Sequence, residues 1–188
     1  PALEWAMDEA HDDEKIKMIL LITDGAIGYE DAVFKLIDDN INDARIFPIS
    51  IGYAPNSFLL QKVADMSRGT HTYIKNNGDI VNKINNLFSK IEKPILSDIN
   101  IIFDHNSDYY PNPVKDLYFN EPLVIFCKAD KSVDKIKFKA KGLNGEFNKT
   151  FNLSDYKINN HSAVPILWAR QKIATLMSQY RLTHNKDE

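Results

Sequence analysis

The run from Met18 to Gly25 constrains the fold of this chain more than any other stretch. Five apolar residues stand in a row and are followed at once by Thr23, Asp24 and the glycine. A short continuous apolar run that ends at a turn signal is typical of a strand buried on both faces, as in a parallel sheet. The sequence therefore predicts a central strand over residues 16–23, with Asp24 at its carboxyl end. Ligands bind at that edge of open α/β sheets, so Asp24 is the leading candidate for a functional residue.

Strands and helices alternate through the first half of the chain. Such alternation predicts parallel strands with right-handed crossovers, which is an α/β fold with a partial doubly wound, Rossmann-like sheet. Pro48, inside the second predicted strand, favours an edge or a bulge there because proline cannot donate to the ladder. The predicted strands are 16–23, 45–51 and 70–74, and the predicted helices are 2–11, 29–39, one from Asn56 or Ser57 to Gly69, and one from Asp79.

The helical period stops near Pro94, and the second half reads differently. Four predicted strands separated by turn clusters indicate an all-β, sandwich-like domain, and a C-terminal helix begins near Ser162 with an apolar stripe along it. On one strand, four lysines alternate with apolar residues, which predicts a solvated basic face rather than a nucleic-acid platform. The predicted strands are 98–103, 123–129, 133–141 and 146–153, and the predicted domains are 1–93, 94–160 and 161–188.

Composition narrows the class of protein only slightly. The chain has 188 residues, a net charge of −3 and a single cysteine, Cys127, so an internal disulfide is excluded and nucleic acid is not the expected partner. No apolar run reaches the roughly 20 residues of a membrane span, so direct membrane insertion is not expected. The sequence opens at Pro1 without an initiator Met or a signal peptide. We expect a fragment whose start, with any targeting signal, lies upstream.

The residues around Asp24 leave three chemical interpretations open. A phosphoryl-transfer or hydrolase enzyme could use Asp24 as a metal-bound or nucleophilic carboxylate, but Ala26 stands where a second carboxylate would be useful. A divalent cation needs several oxygen ligands, of which Asp24 and the Thr23 hydroxyl supply at most two. The third interpretation is structural, with Asp24 capping the next helix and the second half acting as a spacer.

The first half resembles a von Willebrand factor type A domain. The order and spacing of five segments carry the resemblance, which covers about residues 1–92 and only the C-terminal part of such a domain: Pro1–Ala6, Met18–Gly25, Ile46–Gly52, Leu59–Ala64 and Gly69–Ile74. The resemblance implies a metal-ion-dependent adhesion site for Mg²⁺ or Mn²⁺. It places Asp24 on the Asp of the third loop. The Asp-x-Ser-x-Ser loop and the Thr loop of that site would precede Pro1, so the chain alone is expected to bind these cations weakly or not at all.

The second half resembles the region that follows the A domain in inter-alpha-trypsin inhibitor heavy chains and their bacterial relatives. The resemblance rests on Tyr110-Pro111, on Asp116-Leu117-Tyr118 and, most specifically, on Leu167-Trp168-Ala169-Arg170-x-Lys172-Ile173. In that family the region forms a β-sandwich that is completed partly by sequence upstream of the A domain. The resemblance therefore implies that strands are missing here, and exposed sheet edges would favour self-association.

Together these features predict a non-enzymatic module for adhesion or protein binding. Its intact form would bind a protein ligand through a divalent cation held partly by Asp24, with no catalytic residues and with Mg²⁺ or Mn²⁺ as the expected cofactor. The resemblance implies an extracellular or cell-envelope location. The enzyme and spacer interpretations of Asp24 remain the alternatives.

Overall fold

The computed structural model describes residues 2–9, 15–24, 28–92, 96–142, 144–157, 159 and 161–184. The chain folds into two compact units, and the boundary between them lies between Ser89 and Lys90. The predicted domain limits of 1–93, 94–160 and 161–188 stay a prediction, although the boundary between the units falls near the first of them. No helix in the described ranges is long and apolar enough to cross a membrane.

The first unit is built on a parallel sheet of three strands in the order β1-β2-β3. The predicted alternation of strands and helices is therefore confirmed, and with it the α/β class. The elements are α1 (Ala2–Asp8), β1 (Met18–Thr23), α2 (Glu30–Asn40), β2 (Arg45–Ile51), α3 (Ser57–Met66), β3 (Thr72–Ile74) and α4 (Ile80–Ile91).

Strand β1 lies at the edge of this sheet, so the prediction of a central strand buried on both faces is wrong. It pairs with β2 along its whole length, from Met18 beside Arg45 to Thr23 beside Ser50. Within the described residues no strand pairs with its other side. Leu20 and Ile22, on one face of β1, are 37% and 62% exposed. An apolar run shows that a strand can be buried, but burial on both faces also requires other elements to pack over each face of the sheet.

The central strand is β2, and six of its seven residues are buried. Helix α3 packs against it with a fully buried face of Leu59, Leu60, Val63 and Ala64. Burying a large aliphatic side chain contributes about 1.5–3 kcal/mol, so this helix is a main source of stability. Pro48 is in the middle of β2, contrary to the expectation of an edge strand. The ladder to β3 begins only at Ile49, so the proline precedes the stretch where β2 has a neighbour on both sides.

The two ends of helix α3 are fixed in different ways. The Asn56 side chain caps the start, because its Oδ1 accepts a hydrogen bond from the Leu59 N–H at 3.1 Å. The predicted stop at Gly69 acts in another way. Arg68 takes the left-handed backbone conformation, with φ +57°. Gly69 is needed for space instead, since a Cβ there would lie 1.9 Å from the backbone oxygen of Ile46.

The second unit combines a three-stranded antiparallel sheet with a two-stranded one. The orders are β4-β7-β8 and β5-β6. Buried Ile99, Ile101, Val114 and Ala140 form its core. The four lysines of β7 are exposed on one face, as predicted, and Ile136, Phe138 and Ala140 lie on the other. The elements are β4 (Ser97–Phe103), β5 (Ser107–Tyr110), β6 (Phe126–Ala129), β7 (Lys135–Gly142), β8 (Gly145–Asn152) and α5 (Val164–His184). Strand β5 is not among the predicted strands, because Ser107 and Asp108 belong to a polar stretch that is typical of a turn.

Helix α5 is held to the β5 strand by one polar and aromatic cluster. Trp168 Nε1 donates a hydrogen bond to the Asp108 carbonyl oxygen at 3.1 Å. Lys172 Nζ, one turn further on, pairs with Asp108 Oδ2 at 2.7 Å and lies 5.0 Å from the centroid of the Trp168 ring. The Lys172 hydrogen bond is the main reason that the pKa of Asp108 is lowered. Because this face anchors the helix, most of the predicted apolar stripe is exposed, including Ile166, Ile173 and Met177.

Candidate functional site

Asp24 lies directly after β1 and is exposed to solvent. The strands of the sheet are parallel, so the ends of β2 at Ile51 and β3 at Ile74 lie at the same edge as Asp24. This is the edge at which open α/β sheets bind ligands. The structure thus places Asp24 where the sequence placed it along the chain. Its role as a metal ligand stays a prediction.

The loop that follows β2 at this edge is fixed by backbone contacts. Gly52 has φ +117°, a conformation that glycine adopts without steric cost. Its N–H donates to the Ile74 carbonyl oxygen at 3.1 Å, and the Tyr73 hydroxyl donates to the Gly52 carbonyl oxygen at 3.0 Å. Tyr53, the next residue, is 83% exposed. The edge therefore presents a large aromatic side chain on an ordered turn.

Besides Asp24, this edge carries a hydrogen-bonded pair, Glu30 and Asn56, that the sequence did not indicate. Glu30 is the first residue of α2, and its carboxylate accepts a hydrogen bond from Asn56 Nδ2 at the start of α3. A carboxylate is favourable near a helix N-terminus because the helix dipole is positive there. In a parallel α/β unit each helix starts near the edge where the preceding strand ends, and this geometry is the signal that could have predicted the pair.

The described residues do not by themselves complete a cation site around Asp24. No group of three or more His, Cys, Asp or Glu side chains capable of holding a metal ion occurs in the described ranges. Magnesium requires near-octahedral coordination by oxygen, and Asp24 with Thr23 offers at most two protein ligands. Residues 25–27, including Ala26, lie outside the described residues.

The buried Ser50 and the half-buried His71 form a hydrogen-bonded pair that the sequence did not indicate either. Ser50 Oγ lies 2.8 Å from His71 Nε2, and Ser50 is fully buried on β2. Burial lowers the pKa of His71. Because no surface of Ser50 is accessible to a substrate, the pair satisfies a buried hydroxyl rather than forming a nucleophile. The two residues are 21 positions apart, so only the register of the sheet brings them together.

The curated relatives of this chain share one description. A von Willebrand factor A domain-containing protein of Dictyostelium discoideum is 26% identical over 127 residues, which cover 66% of this chain and 14% of that protein. A second protein so described, from the same organism, is 21% identical over 183 residues, which cover 89% of this chain and 22% of that protein. By sequence, this chain is similar to von Willebrand factor A domain-containing proteins. No protein-family model matches it.

The fold of this von Willebrand factor A-like chain is also found in solved structures. The ArnB paralog VWA2 from Sulfolobus acidocaldarius matches with a TM-score of 0.51 at 12% identity, covering 89% of this chain and 52% of that one. At this identity the likeness shows the fold alone. The chain spans 14% and 22% of the length of the two curated relatives. The similarity to inter-alpha-trypsin inhibitor heavy chains and their bacterial relatives stays a prediction.

Proposed function

We propose that this chain is part of a non-enzymatic module that binds a protein ligand through a divalent cation. One observation carries the proposal: the exposed Asp24 stands at the carboxyl edge of a parallel sheet that has the von Willebrand factor A fold. Among the described residues nothing favours catalysis at Asp24. The neighbouring edge residues Tyr53, Glu30 and Asn56 add an exposed aromatic ring and polar groups that another protein could contact.

In this proposal Asp24 supplies one oxygen ligand to Mg²⁺ or Mn²⁺. The other ligands, an Asp-x-Ser-x-Ser loop and a Thr, would come from sequence upstream of Pro1. One coordination position would stay open for a carboxylate of the protein ligand. The proposal includes adhesion or assembly outside the cell or at the cell envelope, as in the inter-alpha-trypsin inhibitor heavy chains that the second half resembles. The exposed edge of β1 would add self-association between copies.

Titration calorimetry tests the proposal in two polypeptides. In a polypeptide extended upstream of Pro1, we expect Mg²⁺ and Mn²⁺ to bind, and Asp24→Asn to weaken binding at least tenfold because a charged ligand becomes neutral. Asp39→Asn is the matched control, since Asp39 is an exposed carboxylate at the far end of α2. The 188-residue chain alone should show no micromolar affinity. Equal cation binding by the Asp24 and Asp39 variants would contradict the proposal. Micromolar binding of Mg²⁺ or Mn²⁺ by the 188-residue chain would contradict the proposal that the other ligands lie upstream of Pro1.

A further inference from the structure

The second unit contains an open cavity of about 480 Å³ beside the inner face of its larger sheet. The three strands β4, β7 and β8 form one wall, and residues between Leu117 and Cys127 form the other. Ten of the twelve lining side chains are aliphatic or aromatic, and the remaining two are Cys127 and Lys149. Pockets of about 300–1,000 Å³ with apolar walls and a few polar groups are typical of small-molecule sites.

Lys149 is a charged residue on the face of the sheet that otherwise carries apolar side chains. On β8 it follows Phe147 and precedes Phe151 at intervals of two, so all three side chains share one face. The β7–β8 register pairs Lys149 with Phe138, whose side chain belongs to the apolar inner face. The ammonium group lies 4.9 Å from the centroid of the Phe151 ring. Of the side chains that line the cavity, it is the one basic group.

A lysine on the inner face of an edge strand can serve simply to prevent pairing with another chain. Strand β8 is at the edge of the β4-β7-β8 sheet, so this explanation applies to the charge alone. It does not account for a cavity that extends from β8 to Ile101 on β4 and to Leu123 on the opposite wall. Cys127 does not compete as an anion, because burial raises the pKa of its thiol. A cavity that joins apolar walls to one cation fits an amphipathic anion.

We propose that this cavity binds an alkyl carboxylate of medium or long chain, with the alkyl chain among the aromatic and aliphatic residues and the carboxylate on the Lys149 ammonium group. Apolar burial supplies most of the affinity, and each methylene that enters should tighten binding up to about fourfold. The ion pair at the mouth orients the ligand. This site is independent of the cation site proposed for Asp24.

Titration calorimetry of the 188-residue chain with octanoate, decanoate and dodecanoate, each below its micelle concentration, tests the proposal. We expect affinity to rise along the series, and dodecyltrimethylammonium to bind at least tenfold more weakly than dodecanoate. Absence of dodecanoate binding below about 1 mM would overturn the proposal. Equal affinity for dodecanoate and dodecyltrimethylammonium would overturn it as well. A chain dimer that Leu123→Trp disrupts and that dodecanoate does not dissociate would also overturn it, because a second copy would then cover the cavity.

Two variants separate the charge from the cavity. Lys149→Met keeps the length of the side chain and should weaken dodecanoate binding about tenfold, which is typical of the loss of one charge-assisted hydrogen bond. Lys139→Met is its control, because Lys139 belongs to the exposed lysine face of β7. Leu123→Trp fills the cavity and should weaken all three carboxylates together. Circular dichroism establishes that each variant is folded. A folded Lys149→Met variant with unchanged affinity would refute the role of the lysine.

Discussion

Gly69 offers the sharpest test of how the first unit is packed. A Cβ at this position would lie 1.9 Å from the Ile46 carbonyl oxygen and 2.8 Å from its carbon, where real Cβ contacts essentially never fall below 3.0 Å. The obstacle is the backbone of the central strand, which cannot rotate away as a side chain can. Either β2 or the end of α3 must therefore move by about 1 Å. The same Ile46 oxygen is 3.2 Å from the Ser67 hydroxyl, so that hydrogen bond would be disturbed as well.

We expect Gly69→Ala to lower the free energy of unfolding of the first unit by about 3 kcal/mol, the upper end of the range for overpacking in a core. For a unit of this size that corresponds to a fall in Tm of roughly 12–24 °C. Gly78→Ala is the matched control, because a Cβ there meets nothing within 4 Å. Hydrogen exchange followed by mass spectrometry on peptides from β2 measures the first unit alone. A loss below about 1 kcal/mol, or a loss equal to that of Gly78→Ala, would refute the packing argument.

Two further predictions concern ionisable groups. Since burial lowers the pKa of His71 below its ordinary 6.5, the unfolded chain takes up a proton first, and the first unit should lose stability as pH falls below about 6.5. Urea unfolding at pH 5 and pH 7.5 should show a smaller pH effect in His71→Gln than in wild type or in the exposed-site control His105→Gln; equal effects would contradict this. Lys172→Met should raise the pKa of Asp108, because the Lys172 hydrogen bond is the largest cause of its lowering. Carbon-13 NMR titration of the carboxyl group measures this, with Lys131→Met as the control that should leave the pKa unchanged.

Local patterns in the sequence predict the order of the elements well. The alternation of strands and helices, the cap at Asn56 and the place of Asp24 after β1 all depend on neighbours within a few residues. The exposure of β1 does not, because it depends on which segments pack over the faces of the sheet and pair with the strand. The Ser50–His71 pair depends on sheet register between residues 21 positions apart.

In the second unit, too, sequence patterns predict local features but not contacts between distant residues. The alternation of lysine and apolar residues on β7 is a local pattern, and the structure confirms it. The anchoring of α5 through Trp168 and Lys172 could not be predicted from the apolar stripe, because that stripe lies on another face of the helix. The place of Lys149 on the same face as Phe138 follows from alternation once the β7–β8 register is known, and only the pairing reveals it.

The exposed edge of β1 has a consequence for the lifetime of the chain in solution. Its sequence, Met-Ile-Leu-Leu-Ile-Thr, contains no charge, no proline and no glycine. Six-residue segments of that kind stack readily into fibrils with dry interfaces between their sheets. In the described structure this segment is hydrogen-bonded to β2 on one side, while Ile22 is 62% exposed. The rate at which such a chain converts into fibrils rises with its concentration. A partner that covers β1 would therefore prolong the lifetime of the folded state as well as stabilise the sheet.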